Sequence, residues 1–189
     1  CIMSKNKVQF QVGFSALEFI DNFGAEEQCV KYLESLKWPN GFKCEECDHN
    51  KCYQYKSGSR TVYECKSCRK SHRLTAGTLF HRTKIELRKW FLAIHQISQS
   101  KNSISALELH RHIDVNHKTA WLMKQKIMQM MYEEDNKYKL KGIVEIDDAY
   151  LGGKLEGGKR GRGSENKSPF IAAVETNEKR KPIFVKLTP

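Results

Sequence analysis

Two cysteine pairs constrain this chain more than any other feature. Cys44 and Cys47 bracket "CEEC", Cys65 and Cys68 bracket "CKSC", and 17 residues separate the pairs. The interval holds a turn, "SGS" at 57–59, flanked by short β-prone runs, "CYQY" and "TVYE". Two tight knuckles at the ends of a hairpin bring four thiolates to one point, which is what a tetrahedral zinc requires. Four protein ligands leave no open coordination position, so such a zinc supports folding and not catalysis. The spacing therefore predicts a zinc ribbon over residues 43–82. Cys52 is an alternative ligand, although its place inside the first strand argues against it. His49 and His72 read as exposed histidines of a basic patch. Seven cysteines without a secretion signal fit a metal site in a reducing compartment better than a disulfide framework.

The charge balance narrows the partner. A net charge of +11 and a pI near 9.3 over 189 residues point to a polyanion, most simply nucleic acid. No apolar run approaches membrane-spanning length, and "CIMSKNKVQF" lacks the apolar core of a signal peptide. The chain opens on Cys1 and not on Met, which reads as a fragment edge.

Residues 1–15 carry no clear pattern. "FGAEEQCVKYLESLKW" reads as one helix with Phe23, Val30, Leu33 and Leu36 inward, ended by Pro39-Asn40-Gly41. Cys29, near that face, reads as a buried small hydrophobe. Beyond the ribbon, Thr83 with Glu86 makes a capping-box pattern ahead of an apolar stripe: Ile85, Trp90, Phe91, Ile94 and Ile97. Ser105 with Glu108 makes a second, before Leu107, Leu109 and Ile113. Asn116 is placed to cap a third helix reaching about Tyr132, with Ala120, Met123, Ile127 and Met130 inward.

A helix, a short turn and a capped helix suggest a helix-turn-helix, whose second helix enters the major groove by its start. Lys118, Lys124 and Lys126 would hold phosphates, and Asn116, His117 or Gln125 would reach base edges. The alternative is a helical bundle with a solvated basic face. His110, His112 and His117 lie close together, but acid or thiol ligands at suitable spacing are lacking, so they read as surface histidines.

After "EEDNKYKLKG" the pattern switches to strands: "GIVEIDDAYL", "PFIAAVE" and "PIFVKL". Glu145 and Asp147 share one face of the first, and Asp148 takes the other. Asp147 among Ile143, Val144, Ile146 and Tyr150 reads as a carboxylate on a central strand, costly there unless paired or bound to magnesium or manganese. Acids on a solvent-facing strand are the equal alternative. The next loop is glycine-rich and basic, with Lys154, Lys159, Arg160 and Arg162 placed to grip DNA.

Taken together, "WPNGFKCEEC", "YECKSCRKSHRLTAGTLFHRTKIELRKWFLAIHQI", "KTAWLMKQKI" and "VEIDDAYLGGK" resemble the zinc-ribbon DDE transposases of bacterial insertion sequences, the branch related to eukaryotic Merlin elements. The resemblance covers about residues 20–175. It implies a multidomain α+β chain: an N-terminal helical segment (1–42), the zinc ribbon (43–82), a three-helix helix-turn-helix unit (83–136) and the first three strands of an RNase H-like α/β catalytic domain (140–189). It implies binding of terminal inverted repeats and target DNA, a homo-oligomer, a bacterial cytoplasmic, nucleoid-associated setting, and metal-dependent cleavage and strand transfer. Asp147 matches the first catalytic acid and would bind Mg2+ or Mn2+. Asp148 stands where the family usually has Glu, and "CEEC" lacks the family's proline. The second and third catalytic positions have no counterpart before Pro189, so this chain is expected to bind DNA without cutting it. A non-catalytic zinc-ribbon and helix-turn-helix regulator, and a protein-docking module, are the competing readings.

Overall fold

The computed structural model describes residues 13–58, 60–100, 102–152, 157 and 167–188. They form two compact units, divided between Glu133 and Glu134.

In the first unit, α1 (Ala16–Phe23) precedes α2 (Glu26–Lys37). The sequence reading had a single helix over 23–38, which corresponds to α2, and none over α1. The break comes at Gly24 and Ala25, where Gln28 reaches back to accept from the Ala25 N–H at 2.8 Å. The signal for α1 is the Ser15–Glu18 capping box, which forms in both directions. Leu36, read as inward, is exposed, and α2 buries Cys29 and Leu33. Burial pushes the Cys29 thiol up to about 11, the behaviour of an inert core residue.

Strands β1 (Cys52–Ser57), β2 (Arg60–Cys65) and β3 (Ser71–Arg73) make an antiparallel sheet in that order. Helices α3 (Leu87–Gln99), α4 (Ala106–Ile113) and α5 (His117–Lys137) follow. One core joins them to the ribbon. Tyr63, Leu74 and Phe80 pack in the same buried cluster as Trp90, Phe91, Leu109, Met123 and Ile127. Helix α2 ties the sheet in place: Glu34 accepts from the buried Tyr63 hydroxyl, and the Trp38 and Tyr63 rings lie 4.8 Å apart.

The start of α3 differs from the capping box read at Thr83 and Glu86. Glu86 occupies the N-cap but makes no side-chain cap. The carboxylate of Glu26, on α2, instead accepts from the Leu87 and Arg88 N–H groups at 2.9 and 2.8 Å. The Thr83 hydroxyl oxygen accepts from the Trp90 indole at 2.8 Å. The first two free amides of the helix are thus met by a bidentate carboxylate from α2 and not by the local residue.

In the second unit, β4 (Ile143–Leu151), β5 (Ser168–Thr176) and β6 (Pro182–Thr188) form an antiparallel meander with β5 in the middle. Tyr138 anchors one end: its ring lies 4.2 Å from Phe184 and its hydroxyl donates to Glu175 at 2.9 Å. Lys186 donates to the Tyr138 carbonyl at 2.6 Å. No helix among the described residues is long and apolar enough to cross a membrane.

Candidate metal centre and nucleic-acid interface

The two cysteine knuckles repeat the same local structure. In the first, the Cys44 N–H donates to the His49 carbonyl at 2.9 Å and the Asp48 N–H to the Cys44 carbonyl at 3.1 Å. In the second, the Cys65 N–H donates to Lys70 and the Arg69 N–H to Cys65 at the same distances, 2.9 and 3.1 Å. Asp48 and Arg69, each just past the second cysteine of its pair, both adopt left-handed backbone, with φ of 56° and 61°. Each knuckle therefore folds back beside its two cysteines.

The hairpin brings these knuckles together, and the Sγ atoms of Cys44, Cys47, Cys65 and Cys68 all lie within 4.8 Å of one another. Cys44 and Cys68 are 3.5 Å apart, as are Cys47 and Cys65. A tetrahedron with metal–sulfur bonds of ~2.3 Å has edges of about 3.8 Å, so this set fits zinc and is too open for disulfides. Cys44 and Cys65 are buried, and Cys47 and Cys68 exposed.

Burial opposes ionisation of Cys65, but the N–H groups of Cys68 and Ser67 outweigh it and bring the thiol down to about 7. Burial likewise opposes ionisation of Cys44, yet the N–H groups of Glu46 and Cys47 and the His72 ring hold it below its ordinary value. At Cys68 the Lys70 N–H favours the thiolate, but burial and the three neighbouring sulfurs push the thiol up to about 12. Crowded thiolates of this kind are stable together around a divalent cation.

Cys52 is half-buried, its thiol raised first by burial, and it stands outside the four-sulfur group. His49 is half-buried and contributes its carbonyl to the first knuckle. His72 corrects the sequence reading: it is 6% exposed, with Nε2 at 3.3 Å from Cys44 Sγ. It sits in the middle of β3, whose outer residues Ser71 and Arg73 face solvent, so strand alternation turns it inward.

The second cluster of sequence-selected residues lies on α4 and α5. Ser105 caps α4 by accepting from the Glu108 N–H at 3.0 Å. Asp114 ends α4 in left-handed backbone, and Lys89 donates to its carbonyl at 2.6 Å. Asn116 starts α5 by accepting from the Thr119 N–H at 2.8 Å. Leu109, Ile113, Ala120, Met123 and Ile127 are buried, while Leu107 and Met130 are exposed. Met130 lies one turn beyond the last buried position of α5, where the inward stripe gives out.

Asn116, His117, Lys118, Gln125 and Lys126 are exposed. Lys124 is different: it is half-buried, and its ammonium donates to the Ile104 carbonyl at 2.6 Å. The first two turns of α5 thus present Asn116, His117 and Lys118 to solvent, with Lys124 turned to the lead-in of α4.

Asp147 lies on β4, which pairs only with β5 among the described residues. It is exposed, and so are its strand neighbours Ile143 and Ile146. Among the described residues β5 is the middle strand of this sheet. Glu145 and Asp147 share a face, opposite Val174 and Ala172. Lys154, Lys159, Arg160 and Arg162 lie outside the described residues.

Comparison with known proteins matches two segments. Residues 24–71 match the family described as the transposase zinc-ribbon domain, and residues 139–189 the ISXO2-like transposase domain. An uncharacterized protein in transposable element ISH50 of Halobacterium salinarum is 30% identical over 170 residues. The match takes in 88% of this chain, which spans 56% of that relative's length. No solved structure matches. By these matches the chain is similar to the IS1595-family transposases, in a segment that matches their zinc-ribbon domain and in a second that matches their transposase domain.

Proposed function

We propose that the chain is a transposase, or its front part, that binds the terminal inverted repeats of its insertion element as double-stranded DNA. The observation that carries this reading is the α4–turn–α5 unit. Its turn, 114–116, is short, its second helix is capped by Asn116, and that helix begins with exposed His117 and Lys118. A helix start of this kind offers free amides, cations and polar side chains to a phosphate backbone and a major groove. Lys118 and Lys126 serve phosphates, and Asn116, His117 and Gln125 serve base edges. In this reading the functional modules are a ribbon over 43–82, a helix-turn-helix over 83–136 and an RNase H-like segment over 140–189. Residues Lys154, Lys159, Arg160 and Arg162 add phosphate contacts, and two copies of the chain hold the two element ends.

Asp147 supplies the first acid of the cleavage and strand-transfer site. With Glu145 it offers the oxygen ligands that Mg2+ or Mn2+ takes. Among the described residues no third ligand joins them within reach of one ion, so this pair alone does not make a metal site.

The test is transposition of the parent element in its host, alongside DNA binding by the chain. Asp147→Asn is expected to abolish transposition and leave binding to the element ends unchanged. Transposition at the parental frequency would favour a non-catalytic DNA-binding regulator.

A further inference from the structure

The two zinc knuckles match in backbone hydrogen bonds and in φ, yet they differ in one respect. Each has two N–H groups of its own turn directed at its first cysteine: Glu46 and Cys47 at Cys44, and Ser67 and Cys68 at Cys65. Among the described residues only Cys44 is also met by a nitrogen on a side chain. His72 Nε2 lies 3.3 Å from its sulfur, with both residues buried. The ring is fixed from two sides. Its strand is paired to β2 with His72 opposite Tyr63, and the Phe42 ring meets it edge-on at 5.5 Å. The imidazole is not part of the four-sulfur group and does not replace any member of it.

A zinc-bound thiolate has no proton to donate, so the ring must supply the hydrogen through Nε2. That selects the tautomer with Nε2–H. From this we infer that His72 is a positioning residue for the zinc centre: it donates an N–H···S hydrogen bond to the Cys44 thiolate and strengthens metal retention at the first knuckle. The inference rests on the zinc reading of the four cysteines. The physical reason is that a donor at 3.3 Å orients one sulfur lone pair and lowers the negative charge left on that sulfur. Four thiolates around a divalent ion carry an excess of negative charge, and each donor spreads it. Burial at 6% exposure removes the competition from water that would make such a bond weak.

The experiment uses the intact chain loaded with zinc, or with cobalt(II) as a spectroscopic substitute, in three forms: parent, His72→Phe and His72→Gln. Phenylalanine keeps a ring against Phe42 and removes the donor. Glutamine places an amide N–H near the position of Nε2. Zinc affinity is read by competition with a chromophoric chelator, and sulfur-to-cobalt charge transfer by absorption. For His72→Phe the expected result is zinc binding weaker by about ten- to a hundredfold, with the charge-transfer band moved to longer wavelength. A thiolate deprived of its donor gives up an electron more easily, which lowers the energy of that transition. His72→Gln is expected to restore both readouts.

An unchanged affinity and an unchanged band in His72→Phe would overturn the inference. Equal weakening in both variants with the band unmoved would also overturn it, because only packing would then be at stake. If the parent chain takes up neither metal, the zinc reading itself fails, and that result appears before any substitution is made.

Discussion

Glu26 shows how one side chain can set the geometry of a whole element. Its carboxylate, on α2, takes both of the first free amides of α3 and so fixes where that helix begins. Charge-assisted caps of this kind hold a helix start against fraying. Glu26→Ala is expected to lower the unfolding free energy of the zinc-loaded chain by about 1–2 kcal/mol, measured by urea denaturation. An unchanged midpoint would mean that Glu86 takes over the cap. The sequence pointed to Glu86 because a capping box is a local pattern. Glu26 stands 61 residues before Leu87, and no local pattern reaches that far. His72 was misread for the same kind of reason. Its type says polar and basic, but its position on a three-residue strand beside a buried sulfur is set by the hairpin register.

At the scale of elements, the helix-turn-helix reading divides the basic residues of α5 into two classes. Lys118 and Lys126 are exposed, whereas Lys124 is half-buried and bonded to the Ile104 carbonyl. Lys124→Ala is therefore expected to cost about 1–2 kcal/mol of stability, seen in denaturant, while changing the salt dependence of DNA binding little. The reverse pattern, unchanged stability with a flatter salt dependence, would return Lys124 to the DNA interface. Periodicity and caps made most elements legible: both hairpin strands, α4, α5 and the three later strands stand where the pattern put them, and α3 does so except at its start. What it missed followed from tertiary pairing. Helix α1 is short and its only strong signal is Ser15 with Glu18.

For the whole molecule, the decisive feature is that the ribbon and the helices share one core in the first unit. Tyr63, Leu74 and Phe80 cannot leave without opening the cluster around Trp90 and Phe91. Removing zinc with a chelator is therefore expected to loosen more than the hairpin. Circular dichroism should lose helical signal, and the midpoint of thermal unfolding should fall. Retention of the helical signal and midpoint after complete metal removal would show the helices to be independent of the ribbon. Acidification should have the same effect as chelation, since protons compete with metal for the thiolates. The Cys65 thiol, at about 7 without metal, puts the onset of that competition for this sulfur near neutral pH and strengthens it as the pH falls. The cysteine spacing made the four sulfurs of the candidate metal centre legible, but not the histidine beside them.

The measurement that tests the central claim most directly is the salt dependence of binding between the zinc-loaded chain and a duplex carrying the element's terminal repeat. Fluorescence anisotropy over a salt series gives the slope of log affinity against log salt, which counts the phosphates engaged. The account predicts a steep slope, reduced by about 1 for each of Lys118→Ala and Lys126→Ala. A flat dependence, or a slope that both substitutions leave unchanged, would contradict it.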